Sequence, residues 1–220
     1  MTLLKQSLII TFFLLIALPA GAQMFGRPQI PQGVFNPVVG AGAEYEMQNS
    51  NGRKNIVDFA IVGKDTVNGQ DGYWMEFTFV GTPMGEMVIK TFATVNSGNM
   101  VTSKMIMQMP GHPPMEMPAQ MQNANRGTNL ADIRNKADDL GTESITTPAG
   151  TFSCHHYRMK DGSGEAWVSE SVHPFGLVKN QDKDGSTVVL VKKLTDVKDK
   201  ITGTPQPFNP MNMMPQQPTN

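Results

Sequence analysis

Alternating apolar and polar residues run through the middle of the chain and predict β-strands. Residues 73–80 (YWMEFTFV) and residues 86–95 (EMVIKTFATV) are rich in aromatic and β-branched side chains, which favour strands. Residues 100–109 alternate in the same way, and turn-forming pairs such as Asn51-Gly52 separate these runs. Similar segments recur about every 8–12 residues, which is typical of an antiparallel sandwich or barrel, so we predict an all-β domain of about ten strands.

One segment favours a helix instead. Residues 130–140 (LADIRNKADDL) follow Asn129, which is placed to cap a helix, and precede Gly141, which is placed to end one. No helical segment separates the other strands, which excludes a doubly wound α/β fold. The prediction is therefore all-β with minor α content, in the form of one short helix.

The first 22 residues have the features of a signal peptide. Lys5 supplies a positive charge, Leu8 to Leu18 is an apolar run, and Ala20-Gly21-Ala22 is a small-residue cleavage site. We expect cleavage near Ala22, a mature chain beginning at Gln23, and export to a bacterial periplasm or the outside.

The composition of the remaining chain indicates one domain with irregular ends. Residues 23–40 contain three prolines and predict a linker, residues 41–202 hold the predicted strands, and residues 203–220 are a Pro-, Gln- and Met-rich tail that we predict to be disordered. Cys154 is the single cysteine, which excludes an internal disulfide. The formal net charge of -1 gives no reason to expect a nucleic-acid partner.

Methionine is the unusual component, with 17 residues, and it concentrates in a predicted hairpin. Met105, Met107 and Met109 alternate before a Pro- and Gly-containing turn, and Met115 and Met117 alternate after it. Successive strand side chains point to opposite faces, so each flank places its thioethers on one face. Three interpretations remain open: an ordinary core, a pliable cavity for an apolar ligand, or a site for a soft metal.

The second half of the chain carries a resemblance to a known family. Residues 141–154 (GTESITTPAGTFSC), Trp167-Val168-Ser169 and residues 174–179 (PFGLVK) resemble a recurring pattern in exported bacterial β-proteins of unknown function. These are similar to the LolA-like lipoprotein-carrier superfamily. The resemblance implies a strongly curved antiparallel sheet, or half-barrel, with a helix plugging its open side and acyl chains held on its concave face.

The resulting hypothesis is an exported, non-enzymatic protein that binds or carries a lipid or acyl chain. The predicted wall of its binding face consists of aromatic and thioether residues: Trp74, Phe77, Phe79, Met105, Met107, Met109, Met115 and Met117. Trp74 differs in parity from the two Phe residues, so they cannot all face inward on one regular strand.

Two alternatives involve other partners. The first is a periplasmic Cu(I) site, in which a histidine joins the thioethers: Met105, Met107, Met109, His112, Met115 and Met117. The second is a structural or interaction module of the cell envelope, with residues 203–220 as a tether to a protein partner. The cluster Cys154-His155-His156 offers too few ligands for zinc and has no flanking nucleophile motif.

Overall fold

The computed structural model of the chain describes residues 34–82, 85–96, 99–118 and 133–209, and it is built from strands. Within these ranges the chain forms one open, curved sheet of twelve strands, which confirms the predicted all-β class. The strands are β1 (Gly42–Gln48), β2 (Lys54–Val67), β3 (Gln70–Thr82), β4 (Gly85–Asn96), β5 (Asn99–Gln108), β6 (Met115–Glu116), β7 (Ala137–Thr147), β8 (Gly150–Met159), β9 (Gly164–Val168), β10 (Leu177–Asp182), β11 (Thr187–Leu194) and β12 (Gln206–Pro207). A single helical turn, α1 (Ile133–Lys136), precedes β7.

Two antiparallel meanders make up the sheet. Strands β1 to β6 follow one another as neighbours, and so do β7 to β11. The meanders join because β1 pairs antiparallel with β11, from Gly42 opposite Leu194 to Gln48 opposite Thr187. The short strand β12 is the exception, since it pairs parallel with β6 at one end of the sheet. The other end of the sheet is β7.

One face of β1 to β6 carries the hydrophobic core, and we call it the core face. The row that crosses it runs from Phe59 through Phe77, Ile89 and Met107 to Met115, each directly opposite the next on neighbouring strands. These five side chains belong to one buried cluster that extends into the second meander. Alternation along each strand therefore places its apolar half inward, as the period of two requires.

Contacts between β1, β2 and the second meander hold the two halves together. Phe59 packs edge-on against Tyr45, with ring centroids 5.7 Å apart, and against Phe175, with centroids 5.9 Å apart. The buried Tyr45 hydroxyl donates a hydrogen bond of 2.8 Å to the carbonyl oxygen of Leu177. Gly42 allows β1 to approach β2, because a Cβ there would lie 2.4 Å from the carbonyl oxygen of Phe59.

The bounds of the predicted helix need correction. Of the predicted span 130–140, residues 133–140 are described; among these Ile133–Lys136 is helical, and the chain is already in β7 from Ala137 onward. Gly141 has a φ of 101° beside a register shift between Asp139 and Thr142, so it serves a β-bulge rather than a helix end. Pairing of this segment with β8 overrides local helix signals, which are a weak prior.

The ends of the domain also extend beyond the predicted bounds. Within the predicted linker, residues 34–40 lie against the core: the Val34 N–H donates to the Phe175 carbonyl oxygen at 2.8 Å. Within the predicted tail, residues 203–209 include β12, and the Phe208 N–H donates to the Glu116 carbonyl oxygen at 3.1 Å. The predicted signal peptide lies outside the described residues, and cleavage near Ala22 stays a prediction.

The substitution Tyr45→Phe tests the junction between the meanders. Burial raises the pKa of Tyr45, so its hydroxyl stays protonated and able to donate. Removing it leaves the buried Leu177 carbonyl without this donor, and we expect the free energy of unfolding to fall by about 1–3 kcal/mol. Urea unfolding followed by tryptophan fluorescence measures this change.

Tyr73→Phe is the matched control for this experiment. The centroids of the Tyr73 and Phe35 rings are 6.2 Å apart, and the Tyr73→Phe variant keeps that ring contact. We expect a change of less than about 0.5 kcal/mol in the control. Equal losses in both variants would contradict the assigned role of Tyr45.

Candidate functional site

The methionine-rich hairpin forms as the sequence predicts, from β5, a turn and β6. Met107 lies directly opposite Met115 in the antiparallel pairing, and the Met117 N–H donates to the Met105 carbonyl oxygen at 2.9 Å. The turn between the strands contains Gly111, whose φ is 74°, a value that glycine adopts without strain. The hairpin register therefore aligns the thioether residues of both flanks.

All five hairpin methionines are buried in the core cluster. Their exposed fractions are 7% for Met105, 6% for Met107, 8% for Met109, 0% for Met115 and 8% for Met117. The intervening Ile106 and Glu116 are opposite each other in register and alternate in sequence with the methionines, so they belong to the other face. We call the surface formed by these five methionines the Met face. It is closed to solvent in this structure.

The aromatic residues of the predicted wall divide between the two faces. Phe77 is buried in the core cluster and Phe79 packs against it, so both lie on the side of the Met face. Trp74 lies on the opposite face. Its ring centroid is 5.1 Å from that of Phe92, and Lys90 Nζ lies 4.8 Å from the Trp74 ring centroid. The assignment of Trp74 to the wall therefore needs correction, because its position in β3 has the opposite parity.

The predicted copper ligands are only partly brought together. The five thioethers share the Met face. His112 instead lies half-buried in the hairpin turn, and its backbone N–H donates to the Met109 carbonyl oxygen at 3.1 Å. In the described part of the chain, no group of three His, Cys, Asp or Glu residues is arranged to hold a metal ion. Cu(I) binding by thioethers stays a prediction.

A polar side chain lies inside the Met face, and sequence reasoning missed it. Thr91 on β4 is directly opposite Met75 on one side and Met105 on the other. It is 5% exposed, and within the described ranges its Oγ1 has no hydrogen-bond partner. The signal was present in the alternation of β4, because Thr91 follows Met87 and Ile89 at inward positions.

The opposite face of β2 to β5 is covered by residues 195–209, which we call the C-terminal strap. Both carboxyl oxygens of Glu76 accept a hydrogen bond from the backbone N–H of Lys200, at 3.1 and 3.2 Å. Lys90 Nζ forms an ion pair with Asp199. Farther along, the Thr202 N–H donates to Gln108 Oε1 at 3.0 Å. These contacts fasten the strap across three neighbouring strands.

Proton sharing between two carboxyl groups is part of this attachment. Burial, and next its hydrogen bond with Asp199, raise the pKa of Glu76 from 4.5 to about 7. The pKa of Asp199 is lowered; burial opposes its charge, but hydrogen bonds from Glu76 and Lys90 outweigh that effect. The proton therefore resides on Glu76, and Asp199 accepts.

His156 is held in a cluster that braces β7, β8 and β9. Its Nδ1 lies 2.9 Å from Glu143 Oε1, and its Nε2 lies 2.9 Å from Glu165 Oε2. The Trp167 ring stacks on the imidazole with centroids 4.4 Å apart, and its Nε1 donates to Glu143 Oε1 at 2.6 Å. Both ring nitrogens are engaged with carboxylates, which leaves His156 no free nitrogen to act as a general base.

Cys154 is a buried thiol beside this cluster. Burial raises its pKa to about 11, and the negative charge of Glu143 contributes in the same direction. The thiolate, not the thiol, is the nucleophile and metal ligand, so the environment of Cys154 disfavours both roles. Cys154 therefore serves as a small buried residue of the core cluster.

Comparisons with known proteins give loose structural likenesses. No protein-family model matches the chain, and no curated protein matches it. A protein from Parabacteroides distasonis ATCC 8503, described provisionally as a lipoprotein, has a TM-score of 0.36 and 15% identity, over 75% of this chain and 100% of its own. A Bacteroides fragilis NCTC 9343 protein, described provisionally as exported with a YmcC-like fold, has a TM-score of 0.36 and 13% identity, over 74% and 99% of the two chains.

At these TM-scores the likenesses carry no argument about function. The similarity to lipoprotein carriers stays a hypothesis, and the plugging helix that it implies corresponds to no more than one turn, α1, among the described residues. No helix in those same ranges is long and apolar enough to cross a membrane.

The substitution Glu76→Gln tests the attachment of the strap through pH dependence. The folded-state pKa of Glu76 is above its ordinary value, so its contribution to stability is fully present below pH 4.5 and is lost as pH rises through about 7. The wild-type free energy of unfolding should therefore fall across this interval, relative to that of Glu76→Gln, by on the order of 2 kcal/mol. Urea unfolding at pH 4.5 and pH 7.5 measures the difference.

Glu46→Gln is the control for this pH dependence. Glu46 lies on β1 and pairs with Lys54 at 2.8 Å, away from the strap. We expect Glu46→Gln to keep the wild-type pH dependence. If Glu76→Gln also keeps it, the proposed proton on Glu76 is wrong.

Proposed function

We propose that this chain is an exported, non-enzymatic protein that binds an apolar ligand, a lipid or acyl chain, on the Met face and the adjoining Phe77 and Phe79. One observation carries the proposal. The five hairpin methionines lie on a single side of a curved sheet, with Met107 and Met115 in direct cross-strand register. A one-sided thioether surface of this kind is suited to apolar ligands of variable shape.

The chemistry of methionine supports this choice over an ordinary aliphatic core. Its side chain is unbranched, has three rotatable bonds and ends in a polarizable thioether, so it repacks around ligands of different shapes. A core that only has to be stable is served as well by leucine or isoleucine, which have better-defined rotamers. Concentration of methionine on one face therefore favours a surface that must change shape.

Ligand entry requires the closed Met face to open, and the structure indicates where this costs least. The hairpin lies near the end of the sheet, where β6 pairs with β5 at Met115 and Glu116, one further backbone bond joins Met117 to Met105, and β12 pairs with β6 over two residues. Elements held by few backbone hydrogen bonds open at low free energy. We expect β6 and β12 to separate before the long strands β2 to β5 do.

Export and the absence of catalysis complete the proposal. Export follows from the predicted signal peptide in residues 1–22. A binding role without chemistry is supported by the His156 cluster and the strap contacts, in which the polar groups are engaged with one another. Partners other than a lipid or apolar small molecule, including an envelope protein bound through residues 203–220, stay predictions.

The first test is recovery of ligand from protein made by its own export route. Native mass spectrometry of the purified protein, followed by solvent extraction, should reveal a bound species with an alkyl chain. Protein refolded from denaturant without lipid should bind a neutral acyl probe, the methyl ester of 11-(dansylamino)undecanoic acid, with a rise in dansyl fluorescence. Recovery of empty protein together with no response to the probe would contradict the proposal.

The double substitution Met107→Ile and Met115→Ile tests the role of flexibility. Isoleucine keeps the apolar character and approximate size but is stiff at χ1. We expect the affinity for the acyl probe to fall about tenfold, which corresponds to about 1.4 kcal/mol. Thermal unfolding should confirm that the variant remains folded.

Met100→Ile is the matched control, because Met100 is a buried methionine of the same strand that lies outside the hairpin register. We expect it to bind the probe as the wild type does. The proposal fails if the double variant retains full affinity, or if the control loses as much.

A further inference from the structure

The Thr91 hydroxyl is a buried hydrogen-bonding group without a partner among the described residues. Thr91 is 5% exposed, and its Oγ1 is inaccessible to solvent and makes no hydrogen bond within this part of the chain. Thr94, on the same strand with opposite parity, is also buried, but its hydroxyl donates to the Val101 carbonyl oxygen at 3.4 Å. An unpaired buried hydroxyl destabilises the folded state, so its presence requires an explanation.

The position of Thr91 connects it to the Met face. The row that contains it runs from Ile61 through Met75, Thr91 and Met105, with each residue directly opposite the next. Three members of this row are apolar. At the end of the row, the Met105 carbonyl oxygen accepts a hydrogen bond from the Met117 backbone N–H. Valine has almost the shape of threonine and would complete the row without an unpaired group. The hydroxyl therefore has no role in packing that valine would not fulfil.

We propose that Thr91 Oγ1 is the polar anchor of the ligand site, and that it hydrogen-bonds the uncharged head group of a single-chain amphiphile. The alkyl chain of that ligand lies along the Met face. Apolar pockets commonly orient their ligands through a few such polar groups. This inference rests on the proposed function and adds to it the chemical class of the ligand.

The head group must be neutral because the site offers no counter-charge. Among the described residues, the buried polar or charged side chains other than Thr91 are Glu76, Thr78 and Thr94, and none is a cation. Glu76 contacts the strap on the opposite face. A carboxylate or phosphate beside Thr91 would be buried without a partner charge, which is strongly unfavourable. A hydroxyl, ester or amide head group meets no such penalty.

The test compares two ligands of equal size against Thr91→Val. We would measure displacement of the dye N-phenyl-1-naphthylamine by 1-decanol and by undecane, whose terminal methyl replaces the hydroxyl. For Thr91→Val we expect the dissociation constant of 1-decanol to rise about five- to tenfold, as the loss of one hydrogen bond predicts. That of undecane should stay within twofold of the wild type. Decanoate at pH 8 should displace the dye least from the wild type.

Two further variants control the experiment. Thr91→Ser keeps the hydroxyl and should keep the wild-type ratio of the two dissociation constants, even if its stability changes. Thr94→Val removes a paired hydroxyl from the same strand and should also leave the ratio unchanged. Thermal unfolding without ligand should show Thr91→Val to be at least as stable as the wild type, because it removes an unpaired buried group.

The outcomes separate this inference from the proposed function. Suppose that 1-decanol and undecane both displace the dye and that the ratio of their dissociation constants is the same in the wild type and in Thr91→Val. The role of Thr91 as a polar anchor is then wrong, while ligand binding on the Met face stands. If neither compound displaces the dye from the wild type, and the acyl probe does not bind, both proposals are overturned.

Discussion

The antiparallel pairing of β1 with β11 is the interaction on which the rest of the fold depends. It converts two meanders, each with two free edges, into a single sheet. The aromatic contacts of Phe59 with Tyr45 and Phe175, and the hydrogen bond from Tyr45 to Leu177, lie at this junction. Burial of the core face needs both halves, because the core cluster includes residues of each. A single meander would leave its apolar side in water.

The two faces of β2 to β5 are covered by different kinds of contact. The core face is closed by apolar side chains, and its contacts depend little on pH or salt. The opposite face carries Glu76 and Lys90 and is covered by the C-terminal strap through hydrogen bonds and an ion pair. Because the strap includes β12, which pairs with β6 through backbone hydrogen bonds, the same segment covers the polar face and borders the edge of the Met face.

Local patterns in the sequence were sufficient to predict the strands and the methionine hairpin. The alternation in residues 100–109 and the turn at Gly111 specify a hairpin whose thioethers share a face, and β5 and β6 have this arrangement. The same reasoning was insufficient for residues 137–140, where helix-favouring residues pair with β8. Pairing between distant segments decides that case, and no local pattern contains it.

Other features were missed because their partners are distant in the sequence. The strap contacts Glu76 through Lys200 from more than 120 residues away, and no local pattern around Lys200 predicts this docking. Trp74 is included in the predicted wall by residue type, and its parity shows only that it and the two Phe residues cannot share a face. Thr91 was overlooked because it is one polar residue in an apolar strand, and only its register with Met75 and Met105 reveals its surroundings.

The β1–β11 pairing also bears on the order in which the chain acquires structure during synthesis. Synthesis begins at the amino terminus, so β1 emerges long before its partner, which lies about 140–150 residues later in the printed sequence. Contacts between such distant segments form slowly and leave intermediates prone to aggregation. Until β11 arrives, the edge of β1 that will pair with it is unprotected. A chaperone that shields this edge would therefore act on the nascent chain, before the sheet can close.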